Sequence, residues 1–134
     1  MVGWPITPGF EFAGVVKKTG PGVKNWKAGD RVLGVSLFNA YASEVAVTVD
    51  YLYALPDGMS FEEGAAFPAV NMTAYHALLQ NAVVRPGMVA LIHSAAGGVG
   101  SSLVQLCRIK GIKTIGVVGS SHKIDSLKKL CALS

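Results

Sequence analysis

Cysteine, charge and long apolar runs are all scarce in this chain of 134 residues. Its two cysteines, Cys107 and Cys131, are too few for a disulfide framework or a four-thiolate zinc site. No run of about 18 apolar residues is free of interruptions, so no membrane span is expected. No signal peptide is expected either, because the first residues lack the basic, apolar and small-residue series of one. Charged residues make up only 15% and hydrophobic residues 51%, which excludes a disordered protein. We therefore expect a folded protein of the reducing cytoplasm.

Carboxylates are missing from one long segment, since none occurs between Glu63 and Asp125. Residues 1–63 contain seven acids and five bases, whereas residues 64–134 contain one acid and seven bases. A basic half indicates an anionic partner: nucleic acid, a membrane surface or a phosphorylated small molecule. The bases are scattered and no aromatic residues interleave with them, so nucleic acid is disfavoured. The alternative is that these lysines are simply solvated at helix ends.

Residues 10–55 have the pattern of short strands separated by turns. Glycine and proline turns such as Gly20-Pro21-Gly22 and Pro56-Asp57-Gly58 interrupt the apolar stretches. Val45, Val47 and Val49 alternate with other residues at the period of a half-buried strand. The predicted strands are Phe10–Lys18, Arg31–Val35, Tyr41–Val49 and Tyr51–Leu55. Short strands with frequent turns favour a small barrel or sandwich.

From residue 60 onward the pattern changes to helices and apolar strands. Ser60 and Glu63 have the spacing of a capping box, which predicts a helix ending before Pro68. Next come a predicted helix at Thr73–Gln80, a strand at Met88–Ile92, a glycine-rich loop, a helix ended by Gly111, a strand at Ile112–Val118 and a helix at Ser121–Leu133. Apolar runs without alternation are typical of parallel strands covered on both faces. Because two such strands cannot form that sheet alone, we expect the chain to be part of a longer protein.

The segment Ala95-Ala96-Gly97-Gly98-Val99-Gly100 joins a predicted strand to an amphipathic helix. In dinucleotide-binding folds, glycines in this place make a tight turn, let the backbone approach the pyrophosphate and let the helix pack on the strand. The amides at the helix start then point at the phosphates. Ala95 replaces the first glycine of that pattern. The alternative is a turn with no ligand, whereas a P-loop is excluded because no Gly-Lys-Ser/Thr follows.

The end of the second predicted strand indicates which dinucleotide fits. NAD-binding folds place an acidic residue there to hold the ribose 2′-hydroxyl. Here the positions are occupied by Val118, Gly119, Ser120, Ser121, His122 and Lys123. Hydroxyls and a lysine would receive a 2′-phosphate through charge-assisted hydrogen bonds, whereas a carboxylate would repel it. The sequence therefore predicts NADPH in preference to NADH, with a solvated Lys123 as the alternative.

Several separated motifs occur together and in one order: residues 7–16 (TPGFEFAGVV), 28–32 (AGDRV), 65–68 (AAFP), 73–75 (TAY) and 87–108, which contain the glycine loop. With these motifs the chain resembles the medium-chain dehydrogenase/reductase superfamily, and in particular its zinc-free quinone oxidoreductase branch. The resemblance implies an α/β chain in two parts. Residues 1–70 would be part of a GroES-like β-barrel catalytic domain, and residues 71–134 the first βαβ portion of a Rossmann NADP-binding domain. Both ends would be truncated.

The resemblance also implies where the cofactor, NADP(H), would bind. The amides of Gly98 and Val99 would meet the pyrophosphate, Thr73 would lie near the nicotinamide carboxamide, and Ser120 and Lys123 would lie near the 2′-phosphate. The full set of predicted cofactor-binding residues is Thr73, Ala96, Gly97, Gly98, Val99, Gly100, Ser120, Ser121 and Lys123. Tyr41, Tyr53 and Asn71 are weaker candidates for lining the substrate cleft, since residues of these types are more often structural.

No metal is expected. Zinc-dependent members of the superfamily carry a histidine where this chain has Phe10, and they carry a four-cysteine lobe that this chain lacks. His76, His93 and His122 do not have the spacing of zinc ligands. Glu11 is expected to be a buried structural carboxylate with a basic or amide partner, and Cys107 a core residue.

The resemblance implies a zinc-independent enzyme that transfers hydride from NADPH to a quinone or an α,β-unsaturated carbonyl. No catalytic residue can be named. An enoyl-thioester reductase of a lipid or polyketide pathway, or a non-catalytic NADPH-binding or structural protein, remains an alternative on the same scaffold. The expected partner is a small-molecule electrophile, without nucleic acid or a membrane span, and the full-length protein is expected to be a homodimer. The 134-residue chain alone is expected to show little catalysis.

Overall fold

The computed structural model describes residues 5–132 and separates the chain into two compact units, Met1–Ala69 and Val70–Ser134. Within the described residues, no helix combines the length and the apolar character that crossing a bilayer would need.

The first unit is built on a three-stranded antiparallel sheet. Its strands are β1 (Glu11–Val15), β2 (Arg31–Val35) and β3 (Leu52–Ala54), in the order β1-β2-β3. Three of the predicted strands are thus confirmed, two of them in shortened form. The helix α1 (Phe61–Ala66) packs on this sheet so closely that a Cβ at Gly64 would lie 2.4 Å from the Leu55 Cδ1 atom. Leu55 and the β2 residues Val32 and Leu33 are buried there.

The predicted strand at Tyr41–Val49 is wrong. The segment forms bends and coil, and a single 3-10 turn follows at Val49–Tyr51. Val45 and Val47 are half-buried and their neighbours are exposed, so the alternation of burial is real. No ladder of hydrogen bonds joins the segment to β1, β2 or β3. An alternation of apolar and polar residues indicates which side chains are covered. A strand also requires a neighbouring strand that pairs with its backbone N–H and C=O groups.

The capping box at the start of α1 is confirmed. The Ser60 hydroxyl accepts the Glu63 amide at 3.1 Å, and the Glu63 carboxylate accepts the Ser60 amide at 2.9 Å. The pKa of Glu62 is lowered, first by its own backbone amide and then by the Ser60 side chain. A second helix, α2 (Pro68–Tyr75), continues into a π-helical turn at His76–Gln80. The helix therefore begins earlier than the predicted Thr73, because proline is well tolerated as the first residue of a helix.

The second unit contains the predicted strand, glycine loop, helix, strand and helix. The elements are β4 (Val89–Ile92), α3 (Gly98–Ile109), β5 (Lys113–Gly116), a 3-10 turn at Ser121–Lys123 and α4 (Ile124–Ala132). Strands β4 and β5 are parallel, with Ile92 paired to Gly116. Gly111 has a φ of 66°, the left-handed conformation expected of the glycine that ends a helix.

The core of the second unit lies on one face of the β4–β5 pair. It is formed by Leu78, Ile92, Ala95, Val104, Cys107 and Ile112. On the opposite face the apolar side chains of Val89, Leu91 and Ile115 are 57–61% exposed. Only one face of this parallel pair is therefore packed within the described residues, although parallel sheets are normally covered on both.

Candidate functional site

The glycine loop leaves β4 and turns directly into α3. Ser94 has a φ of 51°, and its carbonyl oxygen accepts the Gly97 amide at 2.8 Å, which closes the turn. Gly97 then caps α3 in an extended conformation, with φ −87° and ψ 174°. Because glycine has no side chain, no capping group covers the first amides of the helix. The helix therefore begins with its amides uncovered by its own cap.

Three backbone amides come before the first hydrogen bond of α3. Those of Gly98 and Val99 belong to residues that are at least partly exposed, whereas Gly100 is buried. The Ser101 amide donates to the Gly97 carbonyl oxygen at 2.8 Å. The N–H groups of Gly98, Val99 and Gly100 precede that first bond and have no acceptor within the helix. Gly97 and Gly98 are exposed, and the first turn of α3 contains no acidic residue. Uncapped amides at the positive end of a helix dipole form a site for an anion.

Close packing at Gly100 and Gly98 explains why glycine is needed after the turn. A Cβ at Gly100 would lie 2.2 Å from the Ser94 carbonyl oxygen and 2.8 Å from the Ala95 Cα atom. A Cβ at Gly98 would lie 2.8 Å from the Val70 Cγ1 atom. Ala95, which stands in place of the first glycine, is fully buried, and its amide donates to the Val117 carbonyl oxygen at 3.0 Å. The turn is thereby fastened to the segment that follows β5.

The turn after β5 lies at the same edge of the sheet, because parallel strands have their carboxyl ends together. The Ser120 Oγ atom is 2.8 Å from the His122 Nδ1 atom, and the Lys123 amide donates to the Ser120 carbonyl oxygen at 3.1 Å. Ser120 is half-buried, whereas Ser121 and Lys123 are exposed. The turn contains hydroxyls and a cation but no carboxylate, a donor set that suits a phosphate.

Of the other predicted site residues, Ala96 lies within the glycine loop, and the rest lie on other elements. Thr73 is exposed and Asn71 half-buried, both on α2, and Ala96 is half-buried within the glycine loop. In the first unit, the side chains of Tyr41 and Tyr53 are 76% and 51% exposed. That these five residues contact a ligand stays a prediction; they are Thr73, Asn71, Ala96, Tyr41 and Tyr53.

Of two structural assignments made from the sequence, the one for Cys107 is confirmed, and the one for Glu11 is confirmed for its amide partner but not for its burial. The Glu11 carboxylate, half-buried on β1, accepts the Ala69 amide at 2.8 Å, so its partner is an amide at the start of α2. Cys107 is fully buried in the core of the second unit, and burial raises the pKa of its thiol. A buried thiol with a raised pKa is a poor nucleophile at neutral pH.

Titratable side chains do not gather into a metal site in residues 5–132, where no three His, Cys, Asp or Glu side chains lie close enough to share an ion. His76 contacts Gln80 within the π-helical turn, His93 is exposed after β4, and His122 contacts Ser120. Each histidine lies on a different element.

Sequence reasoning missed an aromatic contact in the first unit. The rings of Phe10 and Phe38 lie with centroids 6.2 Å apart and planes inclined at 52°. Phe38 belongs to the loop between β2 and β3, in a stretch (residues 36–40) for which the sequence predicted no element. The available signal is the paired occurrence of aromatic residues in two segments without charge, residues 7–10 and 36–43.

An antiparallel sheet unit followed by a parallel strand–turn–helix–strand unit defines the class of protein: part of a GroES-like domain, followed by the first βαβ portion of a Rossmann domain. In agreement, the family model for the alcohol dehydrogenase GroES-like domain matches residues 1–80. The chain belongs to this family, within the medium-chain dehydrogenase/reductase superfamily of oxidoreductases.

Individual relatives and solved structures agree with this family assignment. The human synaptic vesicle membrane protein VAT-1 homolog-like is 43% identical over 124 residues, which are 92% of this chain and 30% of that protein. The Escherichia coli quinone oxidoreductase complexed with NADPH is similar with a TM-score of 0.87 and 40% identity, over 95% of this chain and 39% of that one. The CurK enoyl reductase is similar with a TM-score of 0.88 and 38% identity, over 93% and 37%. The chain thus spans about a third of the length of the curated relatives it matches.

Proposed function

We propose that this chain carries part of the substrate side and the diphosphate-binding turn of a zinc-independent, NADPH-dependent oxidoreductase. Its substrate would be a quinone or an α,β-unsaturated carbonyl. In this assignment residues 1–70 belong to the catalytic domain and residues 71–134 begin the cofactor domain. The observation that carries the proposal is the set of uncapped amides at Gly98, Val99 and Gly100, located at the carboxyl edge of a parallel strand pair.

The residues present fit a dinucleotide diphosphate. Gly97 and Gly98 are exposed, so a phosphate can approach the backbone there without meeting a side chain from either residue. Ser101 and Ser102 direct their hydroxyls back to the Gly98 carbonyl oxygen, at 2.9 and 3.1 Å, which leaves the amides uncovered. With no acid between Glu63 and Asp125, the local charge favours an anion.

The turn after β5 favours NADPH over NADH. Its hydroxyls and Lys123 can donate to a 2′-phosphate, and no carboxylate occupies the place where an NAD-binding fold holds the ribose 2′-hydroxyl. The E. coli relative of similar fold was crystallised with NADPH. These two observations support the same cofactor.

When bound, NADPH supplies hydride to an electron-poor carbon. Quinones and enones suit a site without a metal, because the oxygen that gains charge during their reduction needs only hydrogen-bond donors or water. In this proposal Thr73 orients the nicotinamide carboxamide, and the amides of Gly98 and Val99 hold the diphosphate. Tyr41, Tyr53 and Asn71 are proposed to line the substrate side.

A second candidate function is the reduction of an enoyl thioester in a lipid or polyketide pathway. The similarity to the CurK enoyl reductase, at 38% identity, favours it. A non-catalytic role on the same scaffold is the third, since the VAT-1 homolog-like relative is named as a vesicle membrane protein rather than as an enzyme.

The three candidates are separated by a chimaera in which this chain replaces its counterpart in the E. coli quinone oxidoreductase. NADPH oxidation is followed with naphthoquinone and with crotonyl thioester, and the isolated chain is titrated with NADPH in parallel. Faster turnover of naphthoquinone supports the proposal, and faster turnover of the thioester supports the second candidate. NADPH binding without turnover of either supports the third. A folded chain that does not bind NADPH at all overturns the cofactor assignment.

The Lys123→Ala variant tests the choice of dinucleotide. We expect it to weaken NADPH binding about tenfold and to leave NADH binding unchanged, since a charge-assisted bond to the 2′-phosphate is lost. The measurement is the ratio of the two dissociation constants. Lys128→Ala removes a matched exposed charge from α4 and should leave the ratio as it is. An equal loss of affinity for NADPH and for NADH would show that Lys123 does not contact the 2′-phosphate.

A further inference from the structure

The second unit has a cavity at the amino edge of the β4–β5 pair, the edge opposite the glycine loop. The cavity has a volume of about 490 Å³ and lies between the end of α3 and the start of β5. We call it the amino-edge cavity. Its volume is in the range of cavities that bind small molecules. The residues that line it are Val104, Arg108, Gly111, Ile112, Lys113 and Thr114.

Backbone hydrogen bonds hold the segment after α3 against the segment before β4. The Gly87 amide donates to the Gly111 carbonyl oxygen at 2.9 Å, and the Lys113 amide donates to the Met88 carbonyl oxygen at 2.8 Å. The Met88 amide in turn donates to the Arg85 carbonyl oxygen at 3.2 Å. The backbone along one wall of the cavity is therefore fixed, and Arg85 is brought to the same edge of the sheet as Lys113.

The cavity has an apolar inner wall and a charged rim. Val104 and Ile112 are 2% and 5% exposed and form the inner wall. Arg108 and Lys113 are exposed and form the rim, and the half-buried Thr114 adds a hydroxyl that can donate a hydrogen bond. Apolar walls with a few polar groups are typical of small-molecule sites, in which the polar groups select and orient the ligand. This combination fits a ligand with an apolar body and an anionic head.

Arg108 is held in place and still has donors for a ligand. Its Nη1 atom donates to the Leu130 carbonyl oxygen on α4 at 3.4 Å. A guanidinium carries several donors in a planar fork, so this one long bond leaves others that a carboxylate can accept side by side. A cation in the last turn of α3 also interacts favourably with the helix dipole. That role does not account for Lys113, which lies on β5.

Carboxylates do not neutralise the rim of the cavity. In the part of the chain that the structure describes, the ion pair found joins Lys17 to Glu44 in the first unit. Asp125 is the only acid among residues 64–134, and it lies in the first turn of α4, whereas the rim contacts the last turn. Arg85 and Lys110, both exposed, add positive charge on the adjoining segments. The potential at the amino edge therefore favours an anion.

We infer that the amino-edge cavity binds a saturated aliphatic carboxylate. Arg108 and Lys113 hold the carboxylate group, and the hydrocarbon chain lies against Val104 and Ile112. The apolar inner wall selects a ligand with a hydrocarbon body, so a small inorganic anion is a poor fit. The inference goes beyond the proposed function and does not depend on it, because a saturated chain accepts no hydride and the cavity shares no residue with the glycine loop.

The test titrates the isotope-labelled chain with decanoate in the absence of NADPH and follows the backbone amide NMR signals. We expect saturable shifts at Gly111, Ile112 and Lys113, and none at Gly98 or Val99. Butanoate should bind about tenfold more weakly, because its shorter chain covers less of the apolar wall. Decanol should also bind about tenfold more weakly, because it has the chain without the charge.

Arg108→Gln and Lys113→Gln each remove a charge and keep a side chain that can donate a hydrogen bond. We expect them to weaken decanoate binding about tenfold and about fivefold, respectively. Lys128→Gln removes an exposed charge from α4 outside the cavity lining, so this matched control should bind like the parent. If Arg108→Gln fails to fold because its bond to α4 is lost, Lys113→Gln decides the question. Unchanged binding in a folded variant of either residue overturns the inference.

Two further outcomes also contradict the inference. If butanoate or inorganic phosphate binds as tightly as decanoate, the cations attract any anion and the apolar wall selects nothing. If the shifts occur at Val89, Leu91 and Ile115 instead, decanoate associates with the exposed face of the β4–β5 pair and not with the cavity. Failure of the proposed function is recognised separately, because it is read from NADPH binding at Gly98 and Val99.

Discussion

The Gly97→Asp variant is expected to bind NADPH about 100-fold more weakly than the parent chain, because it loses charge-assisted hydrogen bonds and adds a repulsive charge. The extended backbone at Gly97 suits any residue at a helix N-cap. An aspartate there accepts the amides of the first turn of α3, so the helix occupies its own anion site. Its carboxylate then repels the diphosphate that the amides would otherwise hold.

The same substitution should not destabilise the fold. An aspartate N-cap is better than glycine by a few tenths of a kcal/mol, which offsets the contact of the new Cβ with the Ser94 carbonyl oxygen at 3.2 Å. NADPH binding is measured from the amide NMR signals of Gly98, Val99 and Gly100, and stability from urea unfolding. Loss of NADPH binding with an unchanged free energy of unfolding would show that the substitution acts on the binding site and not on the fold.

Gly97→Asn is the matched control for Gly97→Asp, since asparagine caps the same amides without a charge. We expect it to weaken NADPH binding about tenfold, through competition for the amides alone. The proposed diphosphate site is wrong if Gly97→Asp binds NADPH as tightly as the parent, or if the amide signals that respond to NADPH lie outside the start of α3.

The Gly100→Ala variant is expected to lose about 3 kcal/mol of unfolding free energy, the upper range for overpacking. The added Cβ would lie 2.2 Å from the Ser94 carbonyl oxygen and 2.8 Å from the Ala95 Cα atom. Both are backbone atoms of a turn fixed to the segment after β5, so neither can move away at low cost. Helix α3 must then shift from the core it shares with β4 and β5.

Urea unfolding compares Gly100→Ala with Gly119→Ala. A Cβ at Gly119 meets nothing within 4 Å, and its φ is not in the left-handed region, so its unfolding free energy should stay within about 0.5 kcal/mol of the parent. A loss of less than 1 kcal/mol in Gly100→Ala would mean that α3 is not held as closely to the turn as the structure shows.

The order and type of most elements could be predicted from the sequence, because local signals decide them. The capping box at Ser60 fixes the start of α1 through bonds between residues three apart. Gly111 ends α3 through its own left-handed conformation. The apolar run before the glycine loop predicted a parallel strand, and β4 is parallel to β5. In each case the information lies within a few neighbouring residues.

The predictions that failed concern features decided by residues far apart in the sequence. The alternation at Val45 and Val47 correctly indicates which side chains are covered, but no strand offers that segment a backbone partner. The early start of α2 involves Glu11, 58 positions earlier in the chain, whose carboxylate accepts the Ala69 amide. Phe38 could not be assigned, because its contact with Phe10 depends on hydrogen bonds between two separate segments.

By itself the sequence determined the chemistry that the chain can offer: glycines at a strand-to-helix turn, a turn of hydroxyls and lysine without carboxylates, and a long segment free of acids. These are properties of residue type and short spacing, and folding does not change them. Only the tertiary structure decided which groups are available and which are adjacent. It joined residues 36–41 to residues 7–10 by backbone hydrogen bonds, brought the Glu11 carboxylate to the Ala69 amide, and left the segment of Val45 and Val47 without a strand partner. Availability and adjacency depend on contacts between residues far apart in the chain, and no local pattern encodes them.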